Sequence, residues 1–380
     1  MRKIAVALTT RWWPWTSIDF GGYCRALARL GYSPVLVCHG NERPDSGFPV
    51  VEAGSVESEQ PDFWRGLGLD AVIFFNWLRA PRVVGAMKQA GLFVISRGDT
   101  DGRTSGRVFP KAAWLTMEDG DDRMLVRLRK AKYLAERYLK LSAAEDRALI
   151  ETVDRTDAVA IECEEAAKNL RRILAYYKRP DLACKVHVIP HSVSDEVLTE
   201  KIDASQRPRT IICGGRWNDP QKDVHLLTAT FERLLRRQLD LQILIMGDGA
   251  DHLFEPLTSR NPSVKWLRRV DRANVAALLT KSRIAVSSSR WEGYSILALE
   301  ALCMGCTLAT PPLPGFVSMA ENGRFGTIAS RRHPAALVRA IETELELWDR
   351  GARVPGEISA VWRRRTSNDS VVSNLLALIK

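Results

Sequence analysis

Short runs of apolar, β-branched residues alternate along nearly the whole chain with stretches whose apolar positions recur every three or four residues. That alternation predicts parallel sheets with helices on both faces. In the first half it predicts strands at 3–10, 34–39, 71–75, 92–96, 158–162 and 185–190, with helices near 22–30, 79–90, 123–150 and 164–177. The pattern pauses over the polar residues 194–208, which end in a Gln-Arg-Pro turn, and a fresh strand begins at Thr210. The second half predicts strands at 210–214, 241–246, 264–267, 284–288, 306–310 and 325–328, separated by helices near 223–237, 273–281, 295–304 and 334–348. The reading is an α/β chain of two Rossmann-like domains, 1–193 and 209–355, joined by a linker at 194–208. Residues 356–380 close with an apolar helical pattern, expected to pack back on the first domain behind the triplet Arg363, Arg364 and Arg365.

At 380 residues, 46% hydrophobic and 26% charged, the composition is that of a globular protein with room for two cores. No stretch approaches the ~18 apolar residues of a membrane span, and the start MRKIAVALTTRWW reads as a strand, not a signal sequence. Seven scattered cysteines suit a reducing cytoplasm, and the Cys303, Cys306 pair stands without the second pair that zinc would need. The net charge of +10 is uneven, +2 over residues 1–200 and +8 over 201–380, which suits phosphorylated metabolites or an anionic membrane face. No motif favours nucleic acid.

The most informative stretch is SSSRWEGYSILALEALCMGC, residues 287–306. A strand, a turn at Gly293 and an apolar helix from about Ser295 would point the amides of Gly293, Tyr294 and Ser295 outward as an anion site. Glu292 sits in the turn, and Glu300 lies a turn and a half into the helix in apolar company, where it needs either a ligand or a structural ion pair. Upstream, GGRWNDPQK sets Gly214, Gly215, Arg216 and Lys222 after the domain's first strand. Two glycines allow close backbone approach and two cations suit a diphosphate.

The Glu292 to Glu300 spacing resembles the E-x7-E signature of retaining GT-B glycosyltransferases. The run GGRWNDPQKDVHLL, IMGDGADHL, VKWLRRVDRANVAALLTKSRIAVSSSRWEGYSILALEALCMGC and ENGRFGTIAS is similar to family 4 of these enzymes (glycosyl transferases group 1), in order and spacing over about 209–330. VIPHSV at 188–193 resembles that family's interdomain segment. The resemblance implies a GT-B fold, two Rossmann-like domains facing a central cleft, and transfer from a nucleoside-diphosphate sugar such as a UDP- or GDP-sugar to a glycan or lipid-linked acceptor. It assigns the donor diphosphate to Arg216, Lys222 and the Gly293 to Ser295 amides, the transferred sugar to Glu292, and the ribose to Glu300. Gly215 would line the same cradle, Arg269 and Val270 would meet the base, and the Gly21, Gly22 pair, expected before the first helix, would approach the diphosphate. No metal and no cofactor is implied.

The family often carries a histidine after the strand at 92–96, where this chain reads VISRGDTDG. Asp99, or Arg97 for an anionic acceptor, stands there instead, and the Asp99-Thr-Asp101 and Asp119-Gly-Asp121 triplets read as loop acids. Trp12, Trp13 and Trp15 follow the first strand, as core, interdomain contact or acceptor platform. The predicted helix at 123–141 carries seven cations against Glu136, a face for solvent or for an anionic membrane. The expected setting is the cytoplasm, with peripheral contact at the inner membrane face. A GT-B epimerase or sugar phosphorylase, and a silent sugar-nucleotide-binding module, remain alternatives to the transferase.

Overall fold

The computed structural model describes residues 2–8, 19–39, 47–98, 100–109, 143–202, 207–237 and 240–379. Trp12, Trp13, Trp15, Asp99, Asp119, Asp121 and the basic stretch 123–141 lie outside them. The described residues fall into two compact units. One holds residues up to Ser194 together with Thr366–Lys380, and the other holds Asp195–Arg365.

The first unit is built on a seven-stranded sheet: β1 (Lys3–Leu8), β2 (Ser33–Cys38), β3 (Val50–Glu52), β4 (Ala71–Asn76), β5 (Phe93–Gly98), β6 (Ala158–Ile161) and β7 (Val186–Val188). Every pairing is parallel, in the order β3-β2-β1-β4-β5-β6-β7. β1 shows why its strand reads as an unbroken apolar run. Ile4 and Val6 join a core beneath helix α1 (Asp19–Arg29), while Ala5 and Ala7 join another beneath helices α2 (Pro61–Gly66) and α3 (Pro81–Gln89). A parallel strand buried on both faces has no polar side to alternate with. Helix α4 (Glu164–Tyr176) makes the crossover between β6 and β7.

The second unit carries β8 (Thr210–Gly214), β9 (Gln242–Met246), β10 (Val264–Leu267), β11 (Ile284–Val286), β12 (Thr307–Thr310) and β13 (Gly326–Ile328), all parallel, in the order β10-β9-β8-β11-β12-β13. Its helices are α5 (Asp195–Thr199), α6 (Val224–Leu235), α7 (Asp251–Arg260), α8 (Arg272–Thr280), α9 (Ile296–Cys303), α10 (Pro314–Ala320), α11 (Pro334–Asp349) and α12 (Pro355–Thr366). Each sheet therefore has the doubly wound order in which the chain reverses direction beside its first strand.

The alternation of apolar runs located most strands. It missed β3, three residues long, and the short helices α2, α5 and α10, each too short to display a helical period, and also the ten-residue α7, whose interior Pro256 reads as a helix breaker. The C-terminal segment forms two helices instead of one: α12 lies in the second unit, and α13 (Asn368–Leu376) packs against α1 in the first, burying Val371, Val372 and Leu375. Of the arginine triplet, Arg364 and Arg365 are exposed and only Arg363 is half-buried. Arg363 donates to the carbonyls of Val197, Leu198, Glu200 and Cys303, and Arg365 pairs with Glu321. Among the described residues no helix is long and apolar enough to cross a membrane.

Candidate active site

In a doubly wound sheet, ligands bind beyond the carboxyl ends of the strands where the order reverses, which in the second unit is between β8 and β11. The two loops leaving that point are 215–223 and 287–295, the stretches that carry the glycines, cations and acids singled out by sequence.

The first loop is shaped by close backbone approach. Gly247 sits at φ +105°, and a Cβ there would fall 2.0 Å from the Gly215 carbonyl oxygen, so IMGDG needs glycine where it touches the backbone of GGRW. Trp217, buried, donates from Nε1 to the Met246 carbonyl at 2.8 Å and anchors the loop. A Cβ on Gly215 would meet Lys222 Cγ at 3.0 Å, so this glycine also makes room for the lysine stem. Asp223 turns the chain in the left-handed conformation at φ +44° and caps α6 through Leu226 N. Arg290, 3.5 Å away, and Arg332 both pair with that carboxylate and tie the second loop and the start of α11 to the first.

The central contact joins the loops. Lys222 Nζ donates to Glu292 Oε1 at 2.6 Å, with the two side chains 19% and 9% exposed. Ser289 Oγ donates to the same oxygen at 2.6 Å, and Gln221 Nε2 reaches Glu292 Oε2 at 3.3 Å and the Trp291 carbonyl at 2.9 Å. Ser288 Oγ donates to the Lys222 carbonyl at 2.6 Å. The carboxylate is thus held by three side chains from two loops, and the ammonium beside it satisfies its charge.

Ser295 is the N-cap of α9, its hydroxyl accepting from Ala298 N at 3.5 Å, so Gly293, buried Tyr294 and Ser295 form the turn entering that helix. Arg216 extends outward, 65% exposed, with Nη2 3.0 Å from Asp219 Oδ2. Arg269, 93% exposed, and half-buried Val270 follow β10 at the same sheet edge. Glu300, buried inside α9, accepts from Arg272 Nη1 at 2.5 Å. Its carboxylate therefore has the arginine partner that burial demands, on α8 and 28 residues earlier in the chain.

The first unit gives a different result. Gly21 and Gly22 do not precede the first helix; they lie in the first turn of α1. A Cβ on Gly22 would fall 2.6 Å from Asn368 Nδ2, so this glycine admits the start of α13. Arg97 is not presented to an acceptor. It is fully buried, with Nη1 and Nη2 donating at 2.6 Å to the carbonyls of Ile189 and Pro190. Asp101 is taken by Arg103 at 2.6 Å.

Sequence reasoning missed Gln221, Ser289 and Arg272. Ser289 lies three residues before Glu292 and was visible in principle as a hydroxyl within reach of that carboxylate. Arg272 carries no local signal, because its meeting with Glu300 is made by the packing of α8 against α9.

Residues 208–346 match the family profile described as Glycosyl transferases group 1. Over 151 residues the chain is 28% identical to the glycogen synthase of Mycobacterium tuberculosis, a match covering 38% of this chain and 36% of that protein. It is 27% identical over 122 residues to the phosphatidyl-myo-inositol mannosyltransferase of Mycolicibacterium smegmatis, covering 32% of each. The chain thus spans about a third of the length of these curated relatives. A solved structure of Anabaena HepE with UDP and glucose aligns over 99% of both chains with a TM-score of 0.65 at 14% identity, a likeness of fold. Both parallel sheets thus have the Rossmann order of the GT-B fold, and the second unit is similar to the group 1 glycosyltransferases over a stretch that includes the loops holding Lys222 and Glu292.

Proposed function

We propose that the protein is a retaining glycosyltransferase that moves a sugar from a nucleoside-diphosphate sugar to a hydroxyl of a glycan or lipid-linked acceptor. The observation that carries this reading is the meeting of Lys222 and Glu292 across the two loops at the reversal point of the second sheet. The reading is supported by the complex of HepE with UDP and glucose and by the glycosyl-transfer names of the curated relatives. Those relatives are named for different acceptors, so the acceptor is proposed only as far as its hydroxyl.

In this reading the donor diphosphate draws Lys222 away from Glu292 and is flanked by Arg216 and the amides of the 293–295 turn. The released carboxylate, still held by Ser289 and Gln221, then accepts hydrogen bonds from hydroxyls of the transferred sugar. The acceptor oxygen bonds to the anomeric carbon on the face from which the diphosphate departs, and the departing phosphate oxygen takes the acceptor proton. Substrate positioning and stabilisation of the developing diphosphate charge supply the rate. Arg216 and Lys222 do this without a metal or cofactor, and Glu300 with Arg272 lies where the nucleotide ribose would bind. A cytoplasmic setting, where nucleotide sugars are made, belongs to the same proposal.

The test is a panel of UDP- and GDP-sugars, read by thermal shift and then by nucleotide release with and without a crude glycan or lipid acceptor fraction. Stabilisation by one nucleotide, with acceptor-dependent release that Arg216→Ala and Glu292→Ala remove, is the expected result. Release that requires inorganic phosphate would indicate a phosphorylase, and loss of donor without acceptor would fit an epimerase. Binding that never leads to release would indicate a silent module.

A further inference from the structure

Helices α6 and α11 run side by side in the same direction, tied at one end by Asp223 with Arg332 and at the other by Arg237 with Glu342 at 3.6 Å. Between them, toward the C-terminal end of α6, lies an open surface groove of about 300 Å³. Its floor is Ala335 and Val338, and its walls are Arg233, Arg236, Arg237 and Arg339. From the Asp223 cap beside the donor loops to this last turn the helix rises by roughly 18 Å, which sets the α6 arginines apart from the candidate active site.

Four guanidinium groups line one opening, and among the described residues only Arg237 meets a carboxylate. Folding does not ask for this arrangement. Arg233, in the last turn of α6, and Arg236 and Arg237, just past its end, stand at spacings of three and four, where like charges repel. The negative end of the α6 dipole offsets part of that repulsion, but Arg339 lies toward the N-terminal end of α11, where the dipole gives no such help. Guanidinium groups recognise phosphate oxygens in pairs. Arg233, Arg236 and Arg339 are exposed, and the opening is wide, so the cations do not converge on one enclosed anion but spread over an open face.

We propose that this arginine-walled groove docks the protein on the phosphate headgroups of an anionic lipid bilayer. A flat array of phosphates matches four spread guanidinium groups, and the +8 charge of the second half of the chain adds longer-range attraction. This surface is distinct from the basic stretch 123–141, and its docking does not depend on the transfer chemistry.

The test is co-sedimentation of the full chain with phosphatidylcholine vesicles, with or without phosphatidylglycerol, at low salt and at ~0.15 M salt. The protein is expected to sediment only with the anionic vesicles and to release as salt rises. The triple variant Arg233→Gln, Arg236→Gln, Arg339→Gln, checked for an unchanged Tm, should bind roughly a hundredfold more weakly, at about fivefold per arginine. A second variant, Arg127→Gln, Lys130→Gln, Lys132→Gln, should retain groove-dependent binding. Wild-type protein that stays in the supernatant at low salt, or a triple variant that sediments like wild type, would overturn the proposal. Saturable binding of inorganic tripolyphosphate that the triple variant loses, without vesicle binding, would assign the groove to a soluble anion and overturn it equally.

Discussion

Among the described residues, the carboxyl edges of the two sheets start from the same strand order and end as different surfaces. In the second unit, the loops after β8 and β11 bring Lys222, Gln221, Ser289 and Glu292 into one hydrogen-bonded cluster with Arg216 beside it. In the first unit, the strand neighbouring β4 ends in an arginine turned inward: Arg97 reaches from β5 to two backbone carbonyls and is closed off from solvent. Beyond β4 the edge exposes Trp77 and then turns through Leu78 in the left-handed conformation at φ +57°, braced by Asn76 Oδ1 accepting from Leu78 N at 2.7 Å. The shared topology sets where a ligand site can form. Whether charge is offered to a ligand or spent on holding backbone depends on which way individual arginines and lysines point.

The largest test of that contrast is to remove the cation at the second edge. Lys222→Met keeps the stem against Gly215 but leaves Glu292 with Ser289 and Gln221 alone. Turnover is expected to fall about 10²- to 10³-fold, the scale on which single charge-stabilising groups act, while nucleotide-induced stabilisation weakens less. Nucleotide-release rates and thermal shift measured on the same preparation check this. Full activity in the variant would mean that the ion pair only holds the loops together.

A pair of glycines sharpens the comparison at intermediate scale. Gly215→Ala should push against the Lys222 stem 3.0 Å away and lower turnover with little change in Tm. Gly22→Ala, whose methyl group would crowd Asn368 on α13, should do the reverse, costing about 1–3 kcal/mol of stability as overpacking does. Urea unfolding and nucleotide release on both variants separate the two. Loss of release without loss of stability in Gly22→Ala would return that glycine to the donor site.

What the sequence disclosed follows the same division. Strands buried on both faces read as apolar runs, and the donor loops read as local clusters because glycine, cation and acid lie within a few residues of each other in GGRWNDPQK and SSSRWEGYS. Glu300 was visibly an acid in apolar company, but Arg272 was not visible as its partner, since the packing of α8 on α9 brings them together. The glycine pair at 21–22 has the composition of a ligand loop, yet its function in the fold is to admit a helix some 350 residues later, which no local window reports. Arg97 likewise carries no sign in its own segment of the carbonyls at 189 and 190 that absorb it.

The smallest effect concerns how the two units respond to acid. Arg97 is braced on neutral carbonyls, and so is Arg207 in the second unit, which donates to Ser282 O at 2.7 Å and Met304 O at 2.6 Å; neither acceptor titrates. The second unit has an additional clasp in which Asp349, at the end of α11, is shared by Arg209 and by Arg283 Nη1 at 2.6 Å. Those two guanidinium groups, Arg209 first, hold the Asp349 carboxyl below its ordinary value. A depressed folded-state pKa means that its stabilisation is fully present above the ordinary carboxylate range and is lost as pH falls through the folded value. Because Asp349 is 35% exposed, the contribution is under ~1 kcal/mol. Asp349→Asn should therefore lower the urea midpoint slightly at pH 7, and the difference from wild type should shrink as pH falls below the ordinary carboxylate range and through the depressed folded value. Hydrogen exchange should show the change at Arg283 and the end of α11 and not around Ile189. An equal response in both places would mean that acid acts on the chain through general charge repulsion, and that the clasp adds nothing of its own.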